Sequence, residues 1–178
     1  MHSELGRSLW LLLLLLLTQT IAVHGTDCVI ENDSGTVRYD LRALERQGGY
    51  DVDGYDTGYT FKLNVCASLS DPHEPSAAVA GRWFRGEHSG TLGSLDAKPQ
   101  LRGEKLVLEY AGGDTCPGAP QLNQSALILF ICDSRTDGRP EFVAEWAGCA
   151  FMFEWRTRAA CGSTVLASND QHVEADEG

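Results

Sequence analysis

The sequence has no close cysteine pair. Structural zinc sites depend on short spacings such as C-x-x-C, so the six cysteines do not form one. The usual catalytic signatures are missing as well: there is no G-x-S-x-G elbow, no G-x-G-x-x-G turn and no H-E-x-x-H helix. Histidine is scarce. Of five, His2 and His24 fall in the N-terminal segment, while His73, His88 and His172 stand isolated in polar sequence. A nucleophile needs a partnered base, and none of these supplies one. Carboxylate pairs such as Glu141 with Glu145, or Glu145 with Glu154, arise readily in a chain this acidic and do not define a glycosidase without distances. The chain therefore reads as a non-enzyme with no cofactor and no metal. Positive charge is short too. Fourteen Lys and Arg face 25 Asp and Glu, a net charge of −11 that repels phosphate backbones and anionic lipid. Nucleic acid is thus excluded as a natural partner. No second apolar run of spanning length follows the first, and no internal repeat is visible.

What is present begins with a secretory signature. Arg7 precedes an apolar run from Leu9 to Leu17, and small residues follow at Val23 and Gly25. The run is shorter than the roughly 20 residues a bilayer span needs, so residues 1–25 read as a signal peptide cleaved near Gly25. The remainder is enough for one core and too short for two ordinary domains. All six cysteines (Cys28, Cys66, Cys116, Cys132, Cys149, Cys161) lie beyond the signal. An even count in an oxidising compartment reads as three disulfides, although spacing alone leaves fifteen pairings open. Two sequons, Asn32-Asp33-Ser34 and Asn123-Gln124-Ser125, make Asn32 and Asn123 candidate N-glycosylation sites. These features place the chain in the secretory lumen (Golgi, endosome or lysosome) or outside the cell.

The periodicity is that of strands. Tyr59, Phe61, Leu63 and Val65 alternate with Thr60, Lys62 and Asn64. Residues 105–110 and 150–155 repeat the pattern, and Ala126 to Ile131 is a continuous apolar run expected to be buried on both faces. Gly48-Gly49, Asp53-Gly54, Gly112-Gly113-Asp114, Pro117-Gly118 and Asp137-Gly138 supply turns. Tyr39 to Gln47 is the one helix-like stretch, and Ser68 to Pro75 reads as a polar loop. The pattern predicts an all-β fold, a sandwich or flattened barrel. Residues 26–162 form the β domain. Residues 163–178 turn polar and acidic and read as a disordered tail or linker.

The cysteine-rich half carries a more specific signal. Gly112-Gly113-Asp114-Thr115-Cys116 is followed by Ser125-Ala126-Leu127-Ile128-Leu129-Phe130-Ile131-Cys132-Asp133. Next come Pro140-Glu141-Phe142-Val143-Ala144-Glu145 and Cys149-Ala150-Phe151-Met152-Phe153-Glu154-Trp155, closing at Cys161. With Cys28, Tyr39-Asp40-Leu41 and Tyr59 to Cys66, this resembles the repeat of the cation-independent mannose 6-phosphate receptor and related mannose 6-phosphate receptor homology (MRH) domains. The resemblance implies a flattened β-barrel of two antiparallel sheets after a short helical turn. It also implies three disulfides, Cys28–Cys66, Cys116–Cys149 and Cys132–Cys161.

It further implies a sugar site made of a glutamine, an arginine, a glutamate and a tyrosine. Glu145 matches the glutamate and would accept from vicinal hydroxyls. Gln124 stands at the arginine position and lacks the charged fork. Phe151 stands at the tyrosine position, where the bland reading is a core aromatic. The glutamine position falls near Gly81 to Arg85, where Trp83 offers an apolar wall or simple edge packing. Restoring arginine at 124 and tyrosine at 151 is expected to raise mannose binding. The function implied is a lectin-like, receptor-type module of the secretory–endosomal–lysosomal pathway, binding glycoproteins or mannose-bearing glycans and other lumenal proteins. The departures at Gln124 and Phe151 argue against phosphomannose. The alternative is an MRH scaffold or protein-interaction module that binds no sugar.

Overall fold

The computed structural model describes residues 28–69, 79–94 and 98–165. The expected signal peptide, most of the expected 68–75 loop, His73 and His172 lie outside the described residues.

Strands β1 (Val29–Glu31) and β2 (Val37–Asp40) form a hairpin whose turn is held by Asn32. Its side-chain oxygen accepts from the Thr36 and Val37 N–H groups, both at 2.9 Å. Next come β3 (Tyr50–Asp53), β4 (Thr60–Leu63), β5 (Val79–Arg85) and β6 (His88–Ser94), an antiparallel four-stranded sheet in chain order. After it the chain runs through β7 (Gln100–Arg102), β8 (Lys105–Tyr110), β9 (Thr115–Cys116), β10 (Ala119–Asn123), β11 (Ser125–Cys132), β12 (Pro140–Trp146), β13 (Ala150–Thr157) and β14 (Ser163–Thr164). The second large sheet has the order β12-β13-β11-β8-β7, and β9 with β10 forms a small hairpin beside it.

The alternation along β4, β8 and β13 turns one row of side chains inward. Phe61 from β4 stacks on Phe142 of β12 at 5.2 Å and meets Phe151 and Phe153 of β13 edge-on. The two large sheets therefore share one core, which also takes in Leu63, Leu92, Leu108, Ile128 and Trp155. Polar groups inside it are satisfied. Buried Asn64 accepts from the Arg46 and Val65 N–H groups and donates to the Arg46 and Ser68 carbonyls. The Tyr110 hydroxyl donates to the Asn64 carbonyl, and burial pushes that phenol well above its usual range.

The disulfides join Cys28 to Cys66, Cys116 to Cys149 and Cys132 to Cys161, the pairing the resemblance implies.

Four sequence readings need correction. The sheets are not all antiparallel: β11 and β13 pair in parallel over their whole length, Ser125 opposite Ala150 through Cys132 opposite Thr157. The chain leaves β11, crosses to the sheet edge as β12, and returns through a hairpin into the slot beside β11. The Ala126–Ile131 run is fully buried on one side only. Ala126, Ile128 and Phe130 are in the core, while Leu127, Leu129 and Ile131 are half covered. The helix-like stretch is mostly not helical: Tyr39 and Asp40 belong to β2, and only Arg42–Leu44 make a 3-10 turn. Finally, the ordered chain runs past Gly162. Ser163 and Thr164 pair with Arg38 and Val37 of β2, and the rest of the expected tail, from residue 166, lies outside the described residues.

Candidate functional site

Three elements bring the expected sugar-contacting residues together. On β5, alternation turns Trp83 inward, opposite Gly90 of β6. Gly90 is required there, since a Cβ would stand 2.6 Å from Trp83 Nε1 and 2.5 Å from an Asp114 oxygen. Gln124 sits between β10 and β11. Its backbone is fastened on both sides, its N–H donating to the Asp114 carbonyl (2.7 Å) and its carbonyl accepting from Gly113 N–H (3.0 Å). The turn from β12 to β13 supplies the third wall. Ala147 and Gly148 there adopt left-handed backbone, at φ +50 and +61, which brings Gly148 back over Glu145.

These residues form a continuous hydrogen-bond chain. Trp83 Nε1 donates to Gln124 Oε1 at 2.8 Å. Gln124 Nε2 donates to the Gly148 carbonyl at 2.7 Å. Gly148 N–H donates in turn to Glu145 Oε2 at 2.6 Å. Both ends of the Gln124 amide are thus engaged inside the protein, and its side chain is 2 % exposed. Such a bond between neutral groups contributes about 1 kcal/mol net, and losing one partner of a buried pair costs more.

Phe151 is in the core at 1 % exposure, edge-on to both Tyr59 and Phe61. Its bland reading is the one its packing matches. Trp83 is half-buried and edge-on to Tyr59. Glu145 is also half-buried, on the β12 edge opposite Phe151. All four expected site residues therefore lie in one region, Phe151 as part of its floor.

Sequence reasoning missed several members. Tyr59 was legible only as a core residue, yet its ring packs beneath Trp83 and carries the Arg85 guanidinium 4.9 Å from its centre. Asp114, read as part of a turn, accepts from the Thr91 N–H and hydroxyl and so ties β6 to the Gln124 segment. Gly148 gave no signal beyond standing next to Cys149. His88 opens β6 and is exposed. Among the described residues no group of three or more His, Cys, Asp or Glu is placed to hold a metal, and no helix is long and apolar enough to cross a membrane.

Comparison with known proteins agrees with this architecture. A family model described as the cation-independent mannose-6-phosphate receptor repeat matches residues 17–117 and 121–176. A mannose 6-phosphate receptor-like protein of Schizosaccharomyces pombe is 30% identical over 152 residues, covering 75% of this chain and 51% of that protein. The human cation-independent mannose-6-phosphate receptor is 32% identical over 148 residues, 79% of this chain and 6% of the receptor. The chain thus spans about half the first relative and a small part of the second. Among solved structures, domain 11 of chicken IGF2R superposes with a TM-score of 0.62 at 27% identity, covering 75% of this chain and 90% of that domain.

Proposed function

Because the chain belongs to the cation-independent mannose-6-phosphate receptor repeat family, we propose that it is a receptor-type module on a lectin-like fold that binds glycoproteins in the secretory–endosomal–lysosomal lumen through protein contacts, without a phosphomannose contact. The observation that carries this reading is the closed amide of Gln124. At the position where the family's arginine is expected, this buried side chain commits an N–H to the Gly148 carbonyl and its oxygen to Trp83 Nε1. A neutral amide so occupied offers a mannose hydroxyl neither charge nor a fork, so a phosphomannose ligand loses one of its expected ring contacts. Phe151 is buried and brings no hydroxyl to the tyrosine position. The net charge of −11 opposes a phosphate at long range. Three disulfides support an oxidising compartment.

The test is a glycan array probed with the secreted protein, paired with a phosphomannosyl affinity resin. We expect no signal on phosphomannose and no retention by the resin. Retention released by free mannose 6-phosphate would overturn the proposal. Binding to neutral high-mannose glycans that is lost in Glu145→Gln would overturn it in favour of a sugar reading centred on Glu145.

N-linked glycans at Asn32 and Asn123 belong to the same reading. Asn123 is exposed and next to Gln124, and its amide nitrogen donates to the Gly113 carbonyl at 2.8 Å. A glycan there would stand beside the closed site. Glycosidase treatment in heavy-oxygen water, followed by peptide mass mapping, is expected to convert both asparagines to labelled aspartate.

A further inference from the structure

The outer face of the four-stranded sheet carries a concavity of about 280 Å³, lined by Asp51, Val52, Asp53, Thr60, Phe61 and Phe84. It lies apart from the Trp83–Gln124 chain, because Phe84 and Trp83 are consecutive on β5 and point to opposite faces. The ladder sets its chemistry. Asp53 stands opposite Thr60, and Thr60 opposite Phe84, so a carboxylate, a hydroxyl and a phenyl ring form one row across three strands. Adjacent strands are about 4.8 Å apart, so the row spans about two such steps. The neighbouring row is already paired: Lys62 reaches Asp51 at 2.8 Å. Asp53 is different. One of its oxygens accepts from the Tyr55 N–H at 2.7 Å, and among the described residues no cation pairs with it. Phe84 is among the exposed large apolar residues.

We propose that this concavity receives an arginine side chain from a partner protein. A guanidinium is the group that uses both ends of the row. It lies flat over an aromatic face and presents a fork to a carboxylate. Net charge decides between candidates: an acidic chain attracts a cationic group, gives a neutral sugar no such gain, and repels an anion. The proposal deepens the protein-contact reading above and rests on it only for the partner being a protein.

The test is an amide-shift titration of the nitrogen-15-labelled secreted domain with arginine amide, at an ionic strength of about 0.15 M to screen diffuse attraction. Citrulline amide, the neutral analogue, is the control. Shifts are expected to concentrate at Asp53, Thr60 and Phe84 and to be about threefold weaker with citrulline amide. Asp53→Asn should weaken them to a similar degree. It keeps the oxygen that accepts from Tyr55 N–H, so the turn survives. Phe84→Ala, at an exposed position, is the second variant. Equal shifts from the two amides, or undiminished shifts in both variants, would overturn the assignment. Movement of the same residues by mannose would overturn it in favour of a glycan subsite. A phosphomannose signal on the array refutes the earlier reading without touching this titration, and a silent titration leaves the array result standing.

Discussion

Changing Gln124 to leucine is expected to destabilise the domain by about 2–6 kcal/mol, read as a lower urea midpoint with an unchanged slope. Leucine fills a similar space but neither donates nor accepts. The carbonyl of Gly148, the buried residue of an otherwise exposed turn, loses its donor, and Trp83 Nε1 loses its acceptor. Each orphaned group costs about 1–3 kcal/mol. The lower end applies if water reaches the half-buried Trp83. A residue that served only as a sugar contact would behave in the opposite way, with stability almost unchanged and mannose binding lost. A midpoint equal to that of the parent protein would therefore remove the internal role of Gln124 and reopen the sugar site. The structure also reverses the expectation for Gln124→Arg with Phe151→Tyr. A guanidinium has no acceptor for Trp83, and a tyrosine hydroxyl at 151 would enter a site among Tyr59 and Phe61 already filled by packed rings. Loss of stability, not gain of mannose binding, is the expected result.

The second large effect is expected from removing the Cys116–Cys149 bridge by paired serine substitution. With its ends 33 positions apart in the sequence, chain-entropy reasoning assigns the bridge about 3–4 kcal/mol. Its position adds a local consequence. Cys149 follows Gly148 directly, and its carbonyl accepts from Ser125 N–H at 3.0 Å. The bridge thus fastens the β12–β13 turn to β9, next to the segment that holds Gln124. Freed of it, Gly148 is expected to withdraw from Gln124 and Glu145. Secretion yield and the urea midpoint should both fall. Near-ultraviolet circular dichroism should report looser packing of Trp83. The two effects should add to less than their sum, since both act through Gly148. An unchanged midpoint in the double-serine protein would show that the sheets alone hold this corner.

Much of the strand content was legible because alternation is a local property. The row Tyr59, Phe61, Leu63, Val65 is buried as its pattern required, and the pattern at 105–110 coincides with β8. Strands without a clean apolar row escaped: β5 carries Gly81, Arg82 and Arg85 among its apolar residues, and β6 holds two glycines. The candidate site was legible as a set of positions but not as a set of bonds. Gln124 reads as a weaker donor for a ligand when only its amide is considered. That the donor is spent on a carbonyl 24 residues away follows from no local rule.

Residue chemistry alone decided the even set of cysteines available for crosslinking, the β class, the net acidity and the kinship carried by the cysteine and aromatic spacing. Each depends on composition or on contacts between near neighbours in the chain. Long-range pairing decided the rest. The parallel seating of β13 against β11, the capture of Gln124 between Trp83 and Gly148, and the meeting of Asp53 with Phe84 across β4 all join segments well separated in sequence. The free energy of such contacts depends on the register in which whole strands settle, and one residue of slip would turn every one of these side chains to the other face.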